Sequence, residues 1–108
     1  MTDFIEQNFP REVDFLKSLV RVPSDNPPGD CARHAEVAAK ELERLGFAVE
    51  RHRVPDAVVR KYGMASATNL VIREKFGTGK GPVIALNAHG DVVPPGEGWT
   101  HDPYGAEE

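Results

Sequence analysis

The sequence predicts an α/β protein in which two helices are followed by the strands of a sheet. Two stretches in the first half carry apolar residues at intervals of three and four, which places side chains on one face of a helix. After Gly46 this spacing is lost, and short runs that contain Phe47, Val49, Val71 and Ile72 indicate strands. One run, residues 83–86, contains no polar residue, which is typical of a strand buried on both faces of its sheet.

The first helix is predicted to begin near Pro10, because proline is tolerated in the first turn of a helix. Residues 4–9 are predicted to form a short preceding turn of helix. Pro23 ends the helix, and residues 23–29 contain too much proline and glycine for regular structure. The apolar residues of this helix recur at helical spacing: Val13, Leu16, Leu19 and Val20.

The second helix is predicted over residues 31–45, with Asp30 as its N-terminal cap and Gly46 as its stop. Glu36 and Lys40 stand four residues apart, a spacing at which opposite charges stabilise a helix. The apolar face of the helix is expected to consist of Ala35, Ala38, Leu42 and Leu45.

Three strands are predicted after the helices, over residues 47–54, 69–76 and 82–88, whereas residues 58–62 fit either a helix or a strand. The glycine-rich residues 77–81 precede a strand, and no serine or threonine follows their lysine, so a hairpin turn is favoured over a phosphate-binding loop. A strand buried on both faces needs neighbours that this sequence does not supply. We therefore expect a fragment, or a chain that a partner completes.

The composition suits one small soluble domain. The 108 residues carry 13 Lys and Arg against 17 Asp and Glu, and a net charge of -4 argues against nucleic acid or an anionic membrane as the main partner. Cys31 is the only cysteine, which excludes an internal disulfide and suits a reducing compartment. No signal peptide is recognisable and the longest apolar run is too short to span a bilayer, so a cytoplasmic location is expected.

His89 and Asp91 follow the third predicted strand, at the end where ligands bind in α/β sheets. In an extended segment, residues two apart point to the same side. A histidine that binds a metal through one ring nitrogen usually donates the other N–H to a carboxylate or carbonyl. The pair could therefore supply a metal ligand and its orienting carboxylate. A loop histidine beside a turn aspartate is the alternative interpretation, and the tripeptide alone does not decide between them.

Other residues could in principle contribute to a site. His101 and Asp102 are ligand types that zinc accepts, and with the pair at 89 and 91 they could form a local metal clamp. A packed structural loop around Trp99 is the competing interpretation. His34 is expected on the solvated side of the second helix, and the Cys31 thiol would need a lowered pKa to react.

A longer stretch around His89 resembles a known family. Residues 86–94, with the sequence Leu-Asn-Ala-His-Gly-Asp-Val-Val-Pro, and residues 99–104, with Trp-Thr-His-Asp-Pro-Tyr, are similar to the first signature of the M20 metallopeptidases. This family includes the acetylornithine deacetylase, succinyl-diaminopimelate desuccinylase and carboxypeptidase G2 groups. Residues 19–24 and 26–29 also resemble the N-terminal loop of the family.

The resemblance implies that residues 1–108 are the N-terminal portion of a three-layer αβα catalytic domain of the zinc-exopeptidase type, without its lid or dimerisation domain. The implied activity is metal-dependent hydrolysis of an amide bond in N-acyl amino acids or small peptides. Such a site holds two zinc ions, with cobalt or manganese as alternatives. His89 matches the family's first histidine metal ligand, and Asp91 matches the aspartate that orients this imidazole and is assigned as catalytic.

The other ligands and the glutamate base of the family have no match in this sequence, so the chain alone is expected to be inactive. The partners implied are an N-acyl amino acid or peptide substrate, the remainder of the catalytic domain and, for the complete enzyme, a second copy in a homodimer. The alternative hypothesis is a truncated, non-catalytic binding module that retains the fold and pairs with another chain.

Overall fold

The computed structural model describes residues 2–108 and contains helices and a two-stranded sheet, which agrees with the predicted α/β class. The strands pair with each other and not with the segment that carries the candidate site. The elements in chain order are α1 (Thr2–Val20), α2 (Ala32–Arg44), β1 (Glu50–Arg53), α3 (Asp56–Lys61) and β2 (Thr68–Val71).

Helix α1 begins eight residues before the predicted start and runs continuously through Pro10. Residues 4–9 are helical as predicted, but they are continuous with α1, so the prediction of a separate helical turn was wrong. Proline removes one backbone hydrogen bond from a helix interior, but the turns on both sides of Pro10 keep the helix intact. Asp3 lies in the first turn, where its negative charge stabilises the positive end of the helix dipole.

Helix α2 lies within its predicted range and packs its small residues inward. Ala35 and Ala39 are buried, so neighbouring elements approach the helix closely. Gly46 follows the helix with a φ of +96°, in the left-handed region that favours glycine, and confirms the predicted stop. On the outer face, Arg51 of β1 donates to Glu36 at 2.9 Å and ties the helix to the sheet.

The N-terminus of α2 is capped differently from the prediction. Cys31 occupies the cap position without a side-chain hydrogen bond. The Ala32 N–H donates instead to the Ser66 hydroxyl at 3.0 Å, and that hydroxyl donates in turn to the Asp30 carboxylate. Asp30 thus acts on the helix through a residue 36 positions away, which local sequence patterns do not reveal.

The sheet confirms two of the three predicted strands in shortened form. Strands β1 and β2 are antiparallel, with Glu50 opposite Val71 and Arg53 opposite Thr68. Helix α3 connects them and occupies most of the segment that the sequence left ambiguous. Its Val59 is buried and contributes to the small core.

The third predicted strand and the hairpin that would contain it were wrong. Within residues 2–108, no strand pairs with residues 82–88, and the sheet consists of β1 and β2 alone. An extended segment forms a strand only when another segment satisfies its backbone groups. The side chains expected to be buried are open instead, with Val83 98% and Leu86 94% exposed.

The described residues bury only a small core, centred on Val22, Ala35, Ala39 and Val59. Large apolar side chains remain exposed along α1 and around residue 84. Among residues 2–108, none of the helices combines the length and apolar character needed to cross a bilayer.

Candidate metal centre

Two loop segments far apart in sequence, residues 24–26 and 90–92, run side by side as a short parallel bridge. The Asn26 N–H donates to the Val92 carbonyl at 2.7 Å, and the Val92 N–H donates to the Ser24 carbonyl at 3.1 Å. These two backbone hydrogen bonds fix residues 90–92, which follow the exposed segment 82–88. We refer to this arrangement as the loop bridge.

Side chains reinforce the loop bridge at Gly90. Ser24 is only 3% exposed, and its hydroxyl donates a hydrogen bond to the Gly90 carbonyl at 2.6 Å. On the other side, a Cβ at position 90 would lie 2.9 Å from the Cε1 and Nδ1 atoms of His34. The His34 ring is thus partly buried, and burial lowers its pKa. The expectation that His34 is solvated was therefore wrong.

His89 and Asp91 contact each other directly. The His89 Nδ1 atom lies 2.9 Å from the Asp91 carbonyl oxygen and 3.1 Å from Asp91 Oδ1. Both neighbours are acceptors, so the arrangement favours a proton on Nδ1 and leaves Nε2 with a free lone pair. The His89 side chain is 85% exposed, so Nε2 is accessible.

The Asp91 carboxylate has a second partner. The Asn26 side-chain amide donates to Asp91 Oδ2 at 3.1 Å. This hydrogen bond is the main cause that lowers the pKa of Asp91, and the neighbouring His89 lowers it further. The carboxylate is therefore ionised near neutral pH and can accept hydrogen bonds from Asn26 and His89 at the same time.

The donor set fits one position in a metal site. An imidazole whose other nitrogen donates to a carboxylate is a common zinc ligand, and His89 Nε2 is available for this role. Among residues 2–108, no group of three or more His, Cys, Asp and Glu side chains is placed to hold a metal ion. The described residues thus offer one ligand and its orienting carboxylate.

The hypothetical clamp with His101 and Asp102 is not formed. The His101 Nδ1 atom lies 2.6 Å from Glu107 Oε2, and Asp102 Oδ1 accepts the Tyr104 N–H at 2.9 Å. Both residues therefore have local partners in their own loop. The nearby Trp99 donates its indole N–H to a backbone carbonyl at 2.8 Å, in agreement with a structured loop.

Tyr104 connects that loop to the loop bridge. Its hydroxyl donates to the Asp25 carboxylate, and this bond raises the pKa of Tyr104 to about 12. Sequence reasoning missed both Asp25 and Asn26 as contributors to the site. They lie in a loop rich in proline and glycine and meet their partners 79 and 65 residues away, so no local pattern marks them.

The Cys31 thiol lies behind the loop bridge and is not activated. Its Sγ atom donates to the Ser24 carbonyl at 3.8 Å. Burial, followed by the negative charges of Asp91 and Asp30, raises the pKa of this thiol. The structure therefore gives no support to a nucleophilic cysteine.

An open groove of about 580 Å³ lies beside His89. This volume is in the range of sites that bind small molecules. Its polar lining includes His34, His89, Ser24 and Tyr104. The apolar lining includes Leu16, Leu19, Val20, Val93, Pro94 and Trp99.

Comparison with known proteins identifies related enzymes. The succinyl-diaminopimelate desuccinylase of Acidiphilium cryptum is 37% identical over 94 residues, which cover 87% of this chain and 21% of that protein. The desuccinylase of Methylorubrum extorquens is 40% identical over 93 residues, or 84% of this chain and 22% of its own length. That of Methylobacterium nodulans is 37% identical over 100 residues, or 91% and 23%.

No family model matches the chain. No solved structure matches it either. The chain spans about a fifth of the length of the curated relatives that it matches. The similarity nevertheless covers most of the chain and confirms the resemblance seen in its sequence. Over a segment that corresponds to about a fifth of their length, the chain is therefore similar to the succinyl-diaminopimelate desuccinylases.

Proposed function

We propose that this chain forms part of the catalytic domain of an M20-type enzyme that hydrolyses an amide bond in an N-acyl amino acid or small peptide. The His89–Asp91 contact, held in place by the loop bridge, is the observation that carries this proposal. The names of the relatives make the succinyl amide of succinyl-diaminopimelate the first substrate to test. The removal of other acyl groups, or cleavage of a peptide, would leave the proposed roles of these residues unchanged.

His89 and Asp91 have distinct proposed roles. Asp91 accepts a hydrogen bond from the His89 Nδ1–H group and orients the ring, so that Nε2 presents its lone pair to a metal ion. Zinc, or cobalt or manganese in its place, would supply polarisation of the scissile carbonyl and acidification of a water molecule. The groove beside His89 offers an apolar surface on which a substrate chain could lie.

We also propose the three-layer αβα architecture for the larger protein, and the exposed segment at residues 82–88 supports it. Residues 82–88 form no strand among the described residues, but exposed apolar side chains such as Val83 and Leu86 would be buried if neighbouring strands covered them. In a protein of the relatives' length, further sequence would supply the neighbouring strands, the other metal ligands and the general base. The described residues alone contain no three-ligand cluster, so we expect no turnover by the isolated chain.

A segment exchange tests the proposal. This chain would replace the matching 94 residues of the Acidiphilium cryptum desuccinylase, and hydrolysis of succinyl-diaminopimelate would be measured with zinc and after chelation. We expect zinc-dependent hydrolysis by the chimera and none by the isolated chain. A folded chimera without activity would contradict the enzyme assignment. Zinc-dependent turnover by the isolated chain would contradict the need for further ligands.

A non-catalytic binding module is the second candidate. The open groove and the exposed apolar side chains around residue 84 favour it, because a partner could cover both. The same chimera separates the two functions. A folded chimera that binds succinyl-diaminopimelate without hydrolysing it, even with zinc present, would favour the module.

A further inference from the structure

We infer that Asn26 is a positioning residue for the proposed metal site: its side-chain amide fixes the Asp91 carboxylate, which together with the Asp91 backbone carbonyl holds His89 as the Nδ1–H tautomer. This inference rests on the proposed function for its catalytic consequence. Its structural part can be tested without a metal ion.

The two oxygens of Asp91 have different partners. Oδ1 lies 3.1 Å from His89 Nδ1, and Oδ2 lies 3.1 Å from Asn26 Nδ2. A carboxylate with one partner can rotate about its Cβ–Cγ bond, whereas a partner on each oxygen fixes the plane of the group. The Asp91 side chain is partly exposed, so water would compete for an oxygen that no residue holds.

Asn26 is itself held by the loop bridge. Its backbone N–H donates to the Val92 carbonyl at 2.7 Å, next to the residue that its side chain contacts. The orientation of the side-chain amide follows from its partner. An ionised carboxylate only accepts hydrogen bonds, so the NH₂ group of Asn26 faces Asp91 and the amide oxygen points away.

This geometry explains why an amide suits position 26. Aspartate would have the same shape, but its carboxylate could not donate and would place a second negative charge beside Asp91. Alanine would remove the donor without adding charge. The two substitutions therefore separate the loss of a hydrogen bond from electrostatic repulsion.

Nitrogen-detected NMR of the histidine rings in the full chain provides the test. Two-bond proton–nitrogen correlations distinguish the two neutral tautomers at one pH above the histidine range, and His89→Ala assigns the His89 signals. We expect Nδ1–H at His89 in the unmodified chain and a shift towards Nε2–H in both Asn26→Ala and Asn26→Asp. Asn8→Asp is the matched control, because the Asn8 amide donates to the Phe4 carbonyl within α1, at 2.7 Å.

An unchanged His89 tautomer in both folded variants at position 26 would overturn the inference. Unfolding of the chain by both substitutions, seen by circular dichroism, would also count against it, because Asn26 would then have a purely structural role. A shift at His89 with no change at His101 is the expected result.

The chimera distinguishes failure of this inference from failure of the proposed function. In an active chimera we expect Asn26→Asp to lower kcat for desuccinylation by about 10–100-fold with little change in KM, as for other residues that orient metal ligands. A tautomer that responds to Asn26 in an inactive chimera would leave the positioning intact and remove the function. An active chimera in which position 26 affects neither kcat nor the tautomer would contradict the positioning role and leave the proposed function in place.

Discussion

Two histidine–carboxylate contacts in this molecule look alike but differ in what stands behind them. His89 Nδ1 lies 3.1 Å from Asp91, and His101 Nδ1 lies 2.6 Å from Glu107. Both imidazoles are largely exposed. Asp91 has a further partner in Asn26, whereas Glu107 forms no second side-chain hydrogen bond or ion pair among residues 2–108. A short distance between a histidine and a carboxylate is therefore not enough to identify a proposed metal ligand.

The two contacts also differ in the chain length that they close. His101 and Glu107 are six residues apart, so one loop can form their contact. Asn26 and Asp91 are 65 residues apart, and the loss of chain entropy on closing a loop grows with its length. The bond between Asn26 and Asp91 therefore depends on the fold. We call Asn26, Asp91 and His89 the first cluster, and His101 and Glu107 the second. We expect substitutions in the first cluster to lower activity and those in the second to have little effect on activity.

The largest expected effect is the loss of the proposed metal ligand. In the active chimera, His89→Ala should lower kcat/KM for succinyl-diaminopimelate by more than about 100-fold, because orienting residues alone account for about 10–100-fold. His101→Ala should stay close to the unmodified chimera. Equal losses in the two variants, measured at saturating zinc, would show that the two histidines are equivalent.

The orienting carboxylates should differ in the same direction. Asp91→Asn keeps the shape of the side chain but removes the charge that favours the Nδ1 proton, so we expect about 10–100-fold lower kcat/KM. Glu107→Gln is the matched neutralisation in the second cluster, and we expect little change. If Asp91→Asn retained full activity, a role for this carboxylate in the reaction would be excluded.

Crowding at Gly90 should cost stability. Gly90→Ala would place a methyl group 2.9 Å from the His34 ring, so we expect the free energy of unfolding to fall by about 1 kcal/mol. Gly81→Ala is the control, because a Cβ at that position meets no atom within 4 Å. Urea denaturation of the full chain measures both. Equal stability of the two variants would mean that His34 moves aside without cost.

The bond between Tyr104 and Asp25 should produce a smaller, pH-dependent effect. It raises the pKa of Tyr104 to about 12, from an ordinary value of about 10. A raised pKa in the folded state stabilises the protein fully below pH of about 10, and this contribution is lost as the pH rises through about 12. The melting temperature of Tyr104→Phe should therefore lie below that of the unmodified chain at neutral pH, and the gap should narrow in alkali.

Tyr62→Phe is the control for that measurement, since Tyr62 is exposed on the surface beyond α3. We expect its melting temperature to follow that of the unmodified chain at each pH. A gap between Tyr104→Phe and the unmodified chain that stays constant from neutral pH to strong alkali would contradict the role assigned to the Tyr104 hydroxyl.

Local patterns predicted the elements that depend on local interactions. The spacing of apolar residues around Ala35 and the glycine at position 46 predicted α2, and the loss of that spacing after Gly46 located both strands. Pro10 was misread because tolerance of proline in a first turn does not exclude it from a longer helix. The burial expected at Val83 requires neighbours that the described residues do not provide.

The candidate site was predictable only in part, for a similar reason. The spacing of His89 and Asp91 indicated that the two side chains could meet, and they do. Their anchoring by Asn26, and the packing of His34 against Gly90, arise from loops brought together by the fold. No pattern within a few residues of either position marks these contacts.

A zinc anomalous difference map of the crystallised chimera would test the central claim most directly. We expect a peak about 2.0–2.1 Å from His89 Nε2, with Nδ1 still in contact with Asp91. A zinc ion bound with the His89 ring turned to solvent, or through Nδ1, would contradict the account.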